Sequence, residues 1–196
     1  MESATARRIA QREQTRRLLL DRGRRLFARY GYADVGVGEL AATADVTKGA
    51  IYHHFTGKAA VFRAILEQVQ EEVGARVAAA ADARTDPWDR FTAGCHAFLE
   101  AGADPAVRRI MLIDGPAVLG WDEWRRMDEA ASGRHLVEAL EELVAAGTIA
   151  PQPVAPLARL ISGALNEAAL WLAQEGDAAD VGATTAALDR LLGGLR

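Results

Sequence analysis

Apolar positions recur at three- and four-residue intervals along nearly the whole chain. No stretch alternates apolar and polar residues over a strand length between turn residues, so the pattern predicts helices throughout. Thr15 caps an expected helix reaching Tyr30, with Leu19, Gly23, Leu26, Phe27 and Tyr30 on one face, and Gly31 stops it. A short helix over 37–44 follows, then a tight turn at Asp45-Val46 and a second short helix over 48–54 capped by Thr47. A long helix is expected over 58–81. Asp86-Pro87 and Asp104-Pro105 each open another, the latter broken at Asp114-Gly115-Pro116. A long amphipathic helix over 121–146 ends at Gly147, and after the loop TIAPQPVAP two last helices cover 155–175 and 179–193. The expectation is an all-α protein of about nine helices.

The two short helices and their tight turn form a helix-turn-helix pattern. On the second of them, at about 100° per residue, Ile51 and Phe55 point inward and Gly49 and His53 nearly opposite, with Ala50 and Tyr52 on the flanks. Lys48 lies nearer the inward side, but its long stem can swing outward. Such a face is small at its N-terminal end and rich in donors further along. That suits a helix entering the major groove of DNA, its N-terminal N–H groups adding to anion binding.

Charge sharpens this reading. The chain carries a net charge of −4, yet residues 1–60 hold 11 Arg and Lys against six Asp and Glu, a net of +5. A basic first third on an acidic protein points to an anionic partner for that third alone. Half of the 196 residues are apolar, enough for a sizeable core, but no apolar run is long enough to span a membrane. The N-terminus has no apolar segment of a secretion signal, and the expected setting is the cytoplasm. Cys95 is the single cysteine, so an internal disulfide framework and a multi-cysteine zinc site are excluded. Neither His53-His54 nor Cys95-His96 suits joint chelation of a metal, since helical neighbours diverge by about 100°. Cys95 with the distant His135 as nucleophile and base has no local support. No catalytic set, metal or cofactor is expected. A helical binding protein without DNA recognition is the other alternative, and the intact helix-turn-helix argues against it.

Residues 15–65 resemble the N-terminal domain of the tetracycline-repressor (TetR) family of transcriptional regulators. The likeness is carried by Thr15-Arg16, Leu26-Phe27, Gly31-Tyr32, Leu40-Ala41, Thr47-Lys48-Gly49, Tyr52, His54-Phe55, Lys58 and Phe62. It implies a three-helix DNA-binding domain over 1–60, joined by the long fourth helix to an effector-binding and dimerisation domain over 61–196. It also implies that Thr47, Tyr52, His53, His54 and Lys58 hold the phosphate backbone, that Lys48, Gly49 and Ala50 approach base edges, and that Thr15 and Arg16 touch phosphate. By charge placement alone, Arg7, Arg8 and Arg12 offer an additional arm.

Three departures from the family pattern stand out. Gly36 replaces a hydroxyl cap, Asp45 replaces the turn glycine and is expected in a left-handed conformation, and Gly57 and Ala59 replace polar residues beside Lys58. For the implied effector, Phe91, Cys95, Phe98, Met111, Trp121, Trp124 and Met127 offer an apolar lining, with Asn166 as a polar member. The implied partners are double-stranded operator DNA, a largely apolar small molecule and a second copy meeting the last two helices, of which 157–173 is apolar around much of its circumference. The implied action is repression at a pseudo-palindromic operator, relieved when an effector shifts the fourth helix.

Overall fold

The computed structural model describes residues 4–175 and 178–196. Met1–Ser3 of the expected first domain, and Gly176 and Asp177 between the two last expected helices, lie outside the described residues. Every element among the described residues is helical.

The first helix, α1 (Ala4–Tyr30), begins eleven residues before the expected cap. Residues 4–14 contain neither Gly nor Pro and are rich in Ala, Arg, Gln and Glu, so nothing stops the helix from extending. Thr15 is therefore internal, and its hydroxyl donates to the Gln11 carbonyl at 3.0 Å instead of capping. Arg7, Arg8 and Arg12 lie on this helix, so no separate arm forms from them. Gly31, at φ +80°, ends it with its N–H on Phe27 O at 2.8 Å.

Helices α2 (Val37–Thr43) and α3 (Lys48–His54) form the expected pair. Gly36 stands at the start of α2 with no side-chain cap. Asp45 adopts φ 54°, the left-handed turn expected of it, and Val46 N–H closes the turn on Ala41 O. Thr47 accepts from Ala50 N–H at 3.1 Å and caps α3.

Helix α4 (Lys58–Asp82) runs from this unit into the remaining helices, burying Val61, Phe62, Ile65, Leu66, Val69, Val73 and Val77 along its length. Phe27, Tyr32 and Phe62 form an aromatic cluster at its base, with ring centroids 5.2–5.7 Å apart. Both faces of such rings are filled, which makes truncation here more costly than at a single aliphatic site.

Helix α5 (Pro87–Ala103) opens as expected, the Asp86 carboxylate accepting from Trp88 and Asp89 N–H, and α6 (Pro105–Arg108) repeats the device with Asp104. The expected break at Asp114-Gly115-Pro116 does not occur. A π-helical segment (Arg109–Asp114) carries the rod into α7 (Gly115–Leu119), and it stops only at Gly120, φ +80°. In the wider register Gly115 N–H reaches Ile110 O, which would leave Met111 O opposite Pro116, a residue with no N–H. The Trp124 indole supplies the missing donor, 2.7 Å from Met111 O. Gly115 makes room for that indole, since a Cβ there would lie 2.8 Å from Trp124 Cδ1.

The expected helix over 121–146 is likewise continuous but interrupted in register: α8 (Trp121–Asp128), a second π segment (Glu129–Gly133) and α9 (Arg134–Ala145). Helices α10 (Val154–Glu175) and α11 (Ala178–Gly193) complete the fold. With each π-linked pair taken as one rod, the described residues make the nine helices expected.

Candidate nucleic-acid interface and regulatory cavities

The inward face of α3 is as the wheel placed it: Ile51 is fully buried and Phe55, just beyond the helix, is 9% exposed. Lys48, Gly49, Tyr52 and His53 face solvent, Ala50 and His54 are half-buried, and Tyr52 is 59% exposed. The Lys48 stem does not stand free. It crosses Gly38 of α2, its Cε 3.0 Å from the position of a Gly38 Cβ, so the missing side chain at Gly38 lets the lysine lie along the helix pair.

Arg16 of α1 packs its guanidinium 5.5 Å from the centre of the Phe55 ring, beside the end of α3. The expected divergence of His53 and His54 is only partial, because their rings meet edge to face at 5.6 Å. Burial, and then the nearby Arg12, His53 and Arg16, hold His54 below the ordinary 6.5, so at neutral pH it is a hydrogen-bonding group and not a cation. Arg12 thus joins this basic cluster through the extension of α1 that the Thr15 cap reading had cut off. Thr15 itself is half-buried with its hydroxyl occupied.

Lys58 is placed differently. Its ammonium donates to Tyr32 O at 2.8 Å and Val35 O at 3.0 Å and lies 3.9 Å from the centre of the Tyr32 ring. It holds the loop after α1 from one side. From the other side the π segment holds it: Asp114 accepts from Tyr32 N–H at 2.8 Å, and Arg109 lies over Gly31 and reaches Asp114 at 3.5 Å.

The eight residues expected around an effector do not share one cavity. Phe91, Cys95 and Phe98 line an enclosure of about 50 Å³ with Val77, Leu136 and Leu165, its polar members being Arg90, Ser132, His135 and Ser162. Trp121, Trp124 and Asn166 line a second, larger cleft of about 320 Å³ between α7, α8 and α10. Met127 borders a polar hollow against α4 with Arg63, Glu67 and Arg126, and Met111 is buried core. The first enclosure explains what helical spacing missed, since Val77, Leu136 and Leu165 come from three other rods. A heptad-like apolar stripe marks each as core and gives no sign of a void beside it.

Burial and then the charge of Asp189 push the Cys95 thiol up to about 12, so it is protonated although His135 lines the same enclosure, and no thiolate nucleophile forms. Between the two cavities lies a buried polar junction. Arg125 donates to Asp128 at 3.1 Å, to Ser162 at 2.9 Å and to Glu129 at 3.2 Å. Burial raises the Asp128 carboxyl to about 6, against the lowering pull of Arg125. Among the described residues no group of His, Cys, Asp and Glu could hold a metal, and no helix is long and apolar enough to cross a membrane.

Two family models fit the chain in succession: bacterial regulatory proteins of the tetR family over residues 19–65, and the tetracyclin repressor-like C-terminal domain over 88–195. The second alone covers more than half of the sequence. The chain belongs to the tetracycline-repressor family.

A solved TetR-family transcriptional regulator from Pectobacterium atrosepticum is 38% identical, with 95% of this chain and 96% of that one superposed at a TM-score of 0.77. The HTH-type transcriptional regulator AcrR of Shigella flexneri is 41% identical over 62 residues, 32% of this chain and 29% of that protein. The transposon Tn10 TetC protein of Escherichia coli is 28% identical over 115 residues, 59% of this chain and 58% of that protein. The chain thus spans less than two thirds of these two curated relatives. TetR-family members are DNA-binding transcription factors and not enzymes, so the basic face of α3 is the DNA-reading side of this chain's fold.

Proposed function

We propose that the chain is a ligand-released repressor that grips a pseudo-palindromic operator as a homodimer in the cytoplasm. The observation that carries this reading is α3: it buries Ile51 and turns Gly49, Tyr52, His53 and the end of Lys48 outward. Residues 1–60 act as the DNA-binding unit and 61–196 as the effector and dimer unit. Thr47, Tyr52, His53 and Arg16 contact phosphates, while Lys48, Gly49 and Ala50 approach bases. His54 and Arg12 sit close enough to take part. The neutral His54 gains a proton more readily once a phosphate lies beside it, so binding tightens as pH falls below about 6.5. Thr15 and Lys58, with their polar atoms committed inside the protein, contribute by holding α1 and the loop to α4.

The dimer face is the outer side of α10 and α11. Leu160, Gly163, Glu167 and Trp171 form one exposed stripe at helical spacing, and Ala183, Ala187 and Leu191 another. Leu160, Trp171 and Leu191 are 73%, 43% and 55% exposed, more apolar surface than a lone chain gains from displaying. The effector enters the enclosure of Phe91, Cys95 and Phe98. At about 50 Å³ it is smaller than the roughly 150 Å³ that holds a benzene, so an effector forces α9 away from α4 and α5. That movement is the two-state change that releases the operator, provided the effector prefers the opened state. Operator fragments selected from genomic DNA give the test. Tyr52→Phe and Lys48→Ala are expected to weaken mobility-shift binding about tenfold each, and unchanged affinity in both contradicts the contact map.

A further inference from the structure

The cleft between α7, α8 and α10 is a different place from the effector enclosure just assigned, and its properties are those of a binding site in their own right. Its volume of about 320 Å³ falls in the range of small-molecule sites, and Leu112, Pro116, Trp124 and Leu170 make its walls apolar. Trp121 stands at the mouth, 63% exposed, its ring 5.0 Å from that of Trp124. Asn166 is 9% exposed, and its Oδ1 has no hydrogen-bond partner. A sealed amide oxygen without a donor costs about 1–3 kcal/mol, so a donor brought by a ligand is favourable there.

Charge narrows the ligand. Arg125 is already held by Asp128, Glu129 and Ser162, and Arg159 reaches Glu129 at 3.3 Å. The remaining charged wall is Glu167, which disfavours an anion. We infer that this cleft binds a neutral, flat aromatic molecule carrying one N–H or O–H donor, stacked on the Trp121–Trp124 pair with the donor on Asn166 Oδ1.

The cleft is also joined to the DNA-reading half. Leu112 belongs to the first π segment, and Trp124 holds that segment through Met111 O. Two residues further on, Asp114 of the same segment holds Tyr32 N–H, next to the end of α1. A ligand that repositions Trp124 therefore acts on the loop that Lys58 and Asp114 clamp, without passing through the enclosure at Cys95. Asp114 is the positioning residue of this route.

Indole is the probe, with 1-methylindole as its donor-free counterpart, and both are titrated calorimetrically into the full chain. Indole is expected to bind at least tenfold more tightly than 1-methylindole, and Asn166→Leu to erase that difference. Gly163→Phe, at a position with open space around its Cβ, fills the cleft and is expected to abolish binding. Ala81→Phe, in the other enclosure, leaves indole binding unchanged. Asp114→Asn binds indole normally but loses the effect of indole on operator affinity. Loss of binding in Ala81→Phe with retention in Gly163→Phe overturns the proposal and leaves the ligand-released repressor standing. Equal binding of the two probes overturns the role of Asn166, and an undiminished operator response in Asp114→Asn overturns the route. Binding that appears only in a dimer-breaking Leu160→Glu variant means that a second copy fills the cleft, which also overturns it.

Discussion

The two halves of the molecule treat their buried polar groups differently. From Ala4 to Val69 the described residues leave no buried side-chain donor or acceptor without a partner. From Gln70 onward the orphans accumulate: both amide atoms of Gln70, Asp128 Oδ1, Asn166 Oδ1 and Thr184 Oγ1 among them. Both π segments lie in this second half as well. A fully bonded aromatic base has one low-energy arrangement, which suits a unit that must present α3 at a fixed angle. A half-satisfied bundle has alternatives within a few kcal/mol, which suits a unit that changes shape when a ligand arrives.

Truncating the base gives the largest effect. Phe62→Ala, which opens the Phe27–Tyr32–Phe62 cluster, is expected to cost about 3–5 kcal/mol in urea unfolding. The same class of change at Phe98, beside an existing void, is expected to cost less, and equal losses would erase the contrast. Next comes Asp128. Its folded carboxyl titrates near 6 against an ordinary 3.8, so the folded state binds the extra proton and stability falls as pH rises through that window. Across the whole window the loss approaches about 3 kcal/mol, and Asp128→Asn is expected to flatten it in pH-dependent melts. Gln70→Leu removes two unsatisfied amide atoms at nearly constant volume. It is expected to stabilise the chain by about 1–2 kcal/mol, whereas a comparable swap at Lys58, whose donors are all used, destabilises it.

Local chemistry was legible in the sequence and long-range chemistry was not. Thr47, Asp45, Gly31, Asp86-Pro87 and Asp104-Pro105 act on their own neighbours, so the boundaries they set appear where they were expected. Thr15 misled because a threonine hydroxyl bonds back to residue i−4 as readily as it caps, and the residues before it form helix well. Pro116 misled because an indole from the next rod replaces the hydrogen bond that proline removes. The exposed and buried faces of α3 follow from periodicity alone. Lys58 reads as a DNA contact in sequence, yet three groups brought together by the loop at 32–35 hold its ammonium inside. The split of the apolar candidates into separate cavities depends on how rods cross, and no spacing within one rod records that.

Operator affinity measured by fluorescence anisotropy as a function of salt, for the native chain and for Tyr52→Phe with Lys48→Ala, tests the central claim most directly. If α3 of a dimer lies in the groove with several phosphate contacts, native affinity falls at least about hundredfold between 50 and 200 mM salt. The double variant then binds at least about tenfold more weakly at low salt and responds to salt with a shallower slope. A native chain that binds operator and unrelated DNA alike, or a double variant with an unchanged slope, contradicts the account.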